Sequence, residues 1–166
     1  MPPTDRVPIS GIPHCLAPAF GRINMNHQHI RNIIRRENEE MWTGKNSEIF
    51  RESSHAHRVT HSGTDGDIVG HDAHVEMAKL YLNAFSDHHM RIDHLVVEED
   101  HAAYRITHHV KHTGPFMGFE PTGKDITMVM SYFVRFEGDK IAESWMMWDS
   151  VLLLRQLGVE IPMGQA

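Results

Sequence analysis

The chain reads as an α+β domain, in which a strongly curved antiparallel sheet packs against N-terminal helices and leaves an internal pocket. Three observations predict this. Two stretches in the first half, 26–42 and 70–85, carry apolar residues at helical spacing. The second half alternates apolar and polar residues over 91–98, 102–112, 126–136 and 140–148. Acidic turns at Glu99 and Asp100, and at Glu137, Gly138 and Asp139, join neighbouring stretches as hairpins.

The 166 residues suit one domain with length to spare for an extension. A formal charge of −6 argues against nucleic acid as a partner, because phosphate binding needs a basic face. Cys15 is the single cysteine, so no internal disulfide forms, as suits a reducing compartment. No apolar run reaches the length of a membrane span. The N-terminus lacks a basic start followed by an apolar core, and Pro8 and Pro13 break up the first two dozen residues. A cytoplasmic protein without a membrane partner is expected.

Residues 1–24 are rich in Pro and Gly and form an irregular arm; the domain spans 25–160, and 161–166 form a tail. In the helix at 26–42, Ile30, Ile33, Ile34 and Met41 mark the apolar side, while Glu37, Glu39 and Glu40 face solvent. Gly44 ends it, and one further turn can come near 47–50. A strand at 53–62 places His55, His57, Val59 and His61 on one face and Ala56, Arg58 and Thr60 on the other. A loop at 63–67 leads to the helix at 70–85, and 85–88 form a turn. After the strands, a helix at 150–157 closes the domain before Gly158.

Asp149 sits where the last strand runs out. After Trp145, Met146, Met147 and Trp148 it is expected among apolar side chains, where desolvation raises the pKa of a carboxyl group and makes a general acid/base. The plainer alternative is a cap for the helix at 150–157. Both roles stay open, and they are compatible.

Proton donors can come from neighbouring strands. His57 and His61 share one face; Arg105 and His109 share a face of their strand, and Tyr104, His108 and His112 share the other. Arg105 also suits a structural ion pair with Glu143. Met128, Met130, Met146 and Met147, with Trp145 and with Phe116 from the preceding loop, supply an adaptable apolar wall for a small-molecule substrate, or a plain core. The 15 histidines raise the question of a metal site. His55 and His57 share a face, and His108, His109 and His112 add more. No ligand set with recognised spacing is complete, so neither a metal nor another cofactor is expected.

Taken together, the helix from Gly70, VVEEDHAAYR at 96–105, HTGPFMG at 112–118, PTGK at 121–124, and 133–158 with GDKIAESW, Asp149 and RQLG resemble the SnoaL-like polyketide cyclase family of the nuclear transport factor 2-like superfamily. The resemblance covers about 27–158. It implies a cone-shaped α+β fold with a deep pocket, commonly a homodimer through the sheet face. It also implies that Asp149 acts as general acid/base in an aldol-type cyclisation, or a related isomerisation, of a carbonyl-bearing substrate without metal or cofactor. Two other functions remain within the superfamily's range: a hydratase, dehydratase or epoxide hydrolase pairing His57 or His61 with Asp149, and a non-catalytic binding module. The arm at 1–24 and the histidine-crowded strand at 53–62 depart from the family pattern.

Overall fold

The computed structural model describes residues 26–46, 48–63 and 66–160, so the arm at 1–24 and the tail at 161–166 lie outside the described residues. Helix α1 (His27–Trp42) starts where the Asn26 side chain accepts a hydrogen bond from the Gln28 N–H at 2.9 Å. Ile30, Ile34 and Met41 are buried at helical spacing, and Glu37 falls in the same stripe. Glu37 is therefore buried rather than solvated, 4% exposed.

Next come α2 (Ile49–Ser53), β1 (Ser54–Ser62), β2 (Gly66–Val69) and α3 (Gly70–Ala84). The last four strands and helix are β3 (Phe85–Glu98), β4 (His101–His112), β5 (Asp125–Glu137), β6 (Lys140–Trp148) and α4 (Ser150–Leu157). Two elements differ from expectation. The stretch expected as a loop pairs with β1 as β2. The turn expected at 85–88 is the start of β3, where the register shifts between Ser86 and His89 and Asp87 takes φ +52°. An extra residue in one strand makes a bulge, which looks like a turn in sequence because it breaks alternation.

The six strands run in the order β2-β1-β6-β5-β4-β3, an open sheet. It is mixed, not wholly antiparallel, because β1 pairs with β6 in parallel. Hairpins fix the other pairings, whereas β1 and β6 are distant in sequence and no turn dictates their direction. One face of β4, β5 and β6 is buried under the helices: Ile106, Val134, Phe136 and Ile141 are at most 1% exposed there. A second cluster of Met41, Trp42, Phe50 and Val75 joins the helices to each other.

Two glycines are required by geometry. At Gly114 a Cβ would lie 2.1 Å from the Asn83 carbonyl oxygen. This close approach lets the Gly114 N–H donate to the Ala84 carbonyl at 2.9 Å. Gly158 ends α4 at φ +109°, a left-handed C-cap.

The tie between helices and sheet is polar. Arg58 on β1 donates through one guanidinium nitrogen to both Glu37 oxygens, at 2.8 and 2.9 Å, and through the other to Ser144 on β6 at 3.2 Å. The Ser53 hydroxyl also donates to Glu37. Arg58 sits 5.4 Å from the Phe50 ring centre. Removing one partner of a buried pair leaves an uncompensated charge. Arg58→Met or Glu37→Ala should therefore lower the unfolding free energy in urea titrations by about 3–5 kcal/mol, and the double variant Glu37→Leu/Arg58→Met should recover most of it.

Candidate functional site

Strand alternation sorts the expected site residues onto two faces. Tyr104, His112, Met128, Met130 and the loop residue Phe116 are buried beneath the helices. His57, His61, Arg105, His109, Trp145 and Met147 lie on the opposite, outer face, and Met147 is 75% exposed. The parities anticipated within the first and fourth strands hold. Trp145 and Met147 occupy the face away from the buried side because Met146 and Trp148 alternate with them and pack inward.

On the outer face the polar residues engage one another. His61 bridges Asp67 and Glu143, each at 2.9 Å, and stacks on Trp145 at 5.4 Å. Glu143 first, then Asp67, hold its imidazole above the usual range. Arg105 pairs with Asp93 rather than with Glu143, because β3 lies beside β4 while Glu143 lies two strands away. Glu143 is taken by His61 and Arg135. His109 meets Thr127 at 3.0 Å, and His55 stacks on His57 at 5.2 Å. Neither His57 nor His61 is brought to Asp149. Among the described residues no three His, Cys, Asp or Glu side chains are placed to share an ion.

Asp149 stands at the junction of β6 and α4. It is exposed, not enclosed by apolar side chains as expected: it stands in the break between β6 and α4 and turns its side chain to the first turn of the helix. Its Oδ1 accepts the Leu152 N–H at 2.8 Å, which caps the helix. Oδ2 has no hydrogen-bond partner among the described residues.

The buried face holds three polar features, of which the sequence reading anticipated His112 as a candidate donor and did not assign His74 or the Trp148 indole. His74 on α3 donates from Nδ1 to the Gly70 carbonyl at 2.7 Å, so its Nε2 accepts from the Thr60 hydroxyl at 2.8 Å. Trp148 carries a buried indole N–H with no partner among the described residues, next to Asp149 in the chain. His112 is the third. Its Nδ1 accepts the Thr122 backbone N–H at 3.2 Å, so the proton sits on Nε2, and that N–H is buried without a partner among the described residues. The stacked phenols of Tyr104 and Tyr132, 4.9 Å between ring centres, are pushed up by burial and stay protonated. The helical register of Glu37 with Ile34 and Met41, and the parity of Trp148 with Met146, were the signals available for finding the polar interior. A separate recess of about 120 Å³ lies between α1, α2 and the β5–β6 turn, with His29, Ile33 and Asp139 on its wall. It contains none of the residues expected at the site.

Burial first, then the Arg58 charge, lowers His74 to about 4; burial, then His88, lowers His108 to about 3. Both fall below the ordinary value of about 6.5, so the unfolded chain binds more protons as pH drops below 6.5. Their contribution to stability is present above that value and is lost as pH falls toward the folded values. His61, shifted the other way, contributes stability that is fully present below 6.5 and is lost as pH rises above it. Unfolding free energy measured in urea should fall between pH 6.5 and 5, by up to about 1.4 kcal/mol per pH unit for each buried imidazole. His74→Asn should make that slope shallower; an unchanged slope would contradict the assignment.

The sequence profile of the SnoaL-like polyketide cyclase family matches residues 32–157. No curated protein matches the chain. Among solved structures, TsrD from Streptomyces laurentii superposes with a TM-score of 0.73 at 19% identity, over 81% of this chain and 98% of its own. AclR from Streptomyces galilaeus, described as a candidate hydroxylase, gives 0.71 at 25% identity, over 82% and 85%. IdmH from Streptomyces antibioticus, described as a candidate polyketide cyclase, gives 0.68 at 27%, over 78% and 98%. Among the described residues no helix is long and apolar enough to cross a membrane. With its family pattern spanning most of its length and its fold shared with these neighbours, the chain belongs to the SnoaL-like polyketide cyclase family.

Proposed function

We propose that this protein is a cofactor-independent acid/base enzyme acting on a carbonyl-bearing, largely apolar small molecule, by aldol-type cyclisation or a related isomerisation. The observation that carries the reading is the junction of β6 and α4: a carboxylate with one free oxygen, Asp149, comes directly after an indole N–H buried without a partner, Trp148. Asp149 Oδ2 takes the proton from the carbon next to the carbonyl. The enolate carbon attacks a second carbonyl, and the resulting alkoxide takes the proton back, so the step needs no oxidant or reductant. The N–H groups of Trp148 and His112 are unpaired donors suited to developing oxyanion charge. Family membership and the IdmH and AclR neighbours support a small-molecule enzyme.

A second reading, a non-catalytic binding module, is favoured by the plain capping role of Asp149. Asn caps a helix about as well as Asp but is no base. Asp149→Asn therefore separates the two. With 2-tetralone as probe in heavy water, the protein should accelerate exchange of the protons beside the carbonyl, read by NMR. Asp149→Asn should lose about 10²–10⁴-fold of that acceleration with its melting temperature preserved. Exchange in the variant equal to that of the unaltered protein would overturn the catalytic assignment.

The outer face also carries an exposed apolar strip of Phe133, Trp145 and Met147. Its proposed occupant is a second copy of the chain, as the family resemblance implies. Sedimentation should show a dimer that Trp145→Glu/Met147→Lys converts to a folded monomer; an unchanged mass would place the interface elsewhere.

A further inference from the structure

Helix α4 is docked on the sheet by a side chain that imitates a strand. β6 pairs with β5 only as far as Trp148, opposite Met130, whereas β5 begins at Asp125. The stretch 125–129 therefore has β4 on one flank and no strand on the other. There the Gln156 amide takes the place of a peptide group. The Thr127 N–H donates to Gln156 Oε1 at 2.8 Å, and Gln156 Nε2 donates to the Thr127 carbonyl at 2.9 Å. A primary amide holds a donor and an acceptor side by side, as a backbone peptide does. Meeting both groups of one residue also fixes which end of the amide is which.

The same nitrogen reaches back along α4. Gln156 Nε2 donates to the Leu152 carbonyl at 3.3 Å, and the Leu152 N–H donates to Asp149 Oδ1 at 2.8 Å. Thr127, Gln156, Leu152 and Asp149 are thus joined in series, from sheet to carboxylate. Leu153 and Leu157 bury the apolar side of α4. Apolar contact has no direction, so alone it lets a helix roll or slide by part of a turn. The amide contacts are directional and oppose that motion. Lys124 Nζ adds a longer contact, to the Leu157 carbonyl at 3.4 Å. Asp149 alone stands between β6 and α4, so a roll of the helix turns its carboxylate.

We propose that Gln156 is the positioning residue of this junction: by holding α4 to β5 it fixes the direction of the Asp149 Oδ2 oxygen. The inference rests on the reading of Asp149 as the acid/base group and adds the residue that aims it. Gln156 itself touches no substrate. Aim matters because a displacement of about 1 Å can cost about 10²-fold in rate.

The test is a double-mutant cycle on the exchange of 2-tetralone protons in heavy water, using Gln156→Met, which keeps the length and removes the amide. Gln156→Met should lower kcat about tenfold and leave KM unchanged, while circular dichroism confirms the fold. In the Asp149→Asn protein the same substitution should cost nothing further, because no base is left to aim. An equal loss in both backgrounds would mean a merely structural Gln156 and would refute the proposal, as would a raised KM at unchanged kcat. A second readout needs no turnover. Amide hydrogen exchange should show the Leu152 N–H opening about tenfold faster in Gln156→Met, with the Ile106 N–H in the core unaffected; unchanged protection at Leu152 would count equally against it. Gln156→Glu keeps the acceptor for the Thr127 N–H and loses the donor, and serves for the same cycle where Gln156→Met does not fold. Undiminished exchange in Asp149→Asn would remove the acid/base reading and this inference with it, whereas a failed cycle with Asp149→Asn inactive would remove this inference alone.

Discussion

The ion pair between Glu37 and Arg58 is the constraint on which the arrangement depends. Two charges are removed from water at a cost of several kcal/mol each, and only close, multiple contacts offset that. Both oxygens of Glu37 and two nitrogens of Arg58 are engaged, with Ser53 and Ser144 completing the set. Four elements meet there: α1 brings the carboxylate, β1 the guanidinium, and α2 and β6 a hydroxyl each. A helix held only by apolar contacts can slide over a sheet with little penalty. A buried charge that must meet its partner fixes the register of α1 on the sheet.

That fixed register determines what faces inward. The buried side is apolar near Ile106, Val134 and Phe136. Its polar atoms are held singly: Thr60 on His74, Thr122 on His112, His88 on His108. In each pair the protein partner takes one ring nitrogen. For His74 the Gly70 carbonyl takes the other, which makes it structural. For His108 and His112 the other nitrogen is left over. The same residue type therefore has both ring nitrogens met in one place and only one met in the others.

The α+β class, the four long strands and α4 were legible because their apolar periods are long and their hairpin turns explicit. The face parities of β1 and β4 came from a period of two. Other features were hidden for physical reasons. The bulge at Asp87 breaks alternation as a turn would. Glu37 looked solvated because composition marks carboxylates as exposed, although its spacing from Ile34 and Met41 put it on the buried stripe. The parallel pairing of β1 and β6 has no local signal, since no turn encodes it. Trp145 and Met147 were assigned to the substrate by chemistry alone. A period of two separates Trp145 and Met147 from Met146 and Trp148 but does not say which pair faces inward. The place of Asp149 at the end of the last strand was readable, whereas its exposure was not, because it depends on the direction α4 takes.

The parallel seam between β1 and β6 has a bearing on how the protein is made. Arg58 and Ser144 are 86 positions apart in the chain. At translation speeds of about 5–20 residues per second, β1 leaves the ribosome about 4–17 s before its neighbour exists. Throughout that interval the nascent chain presents an unpaired strand edge and a half-solvated guanidinium. Non-local closure of this kind slows folding and invites chaperone engagement.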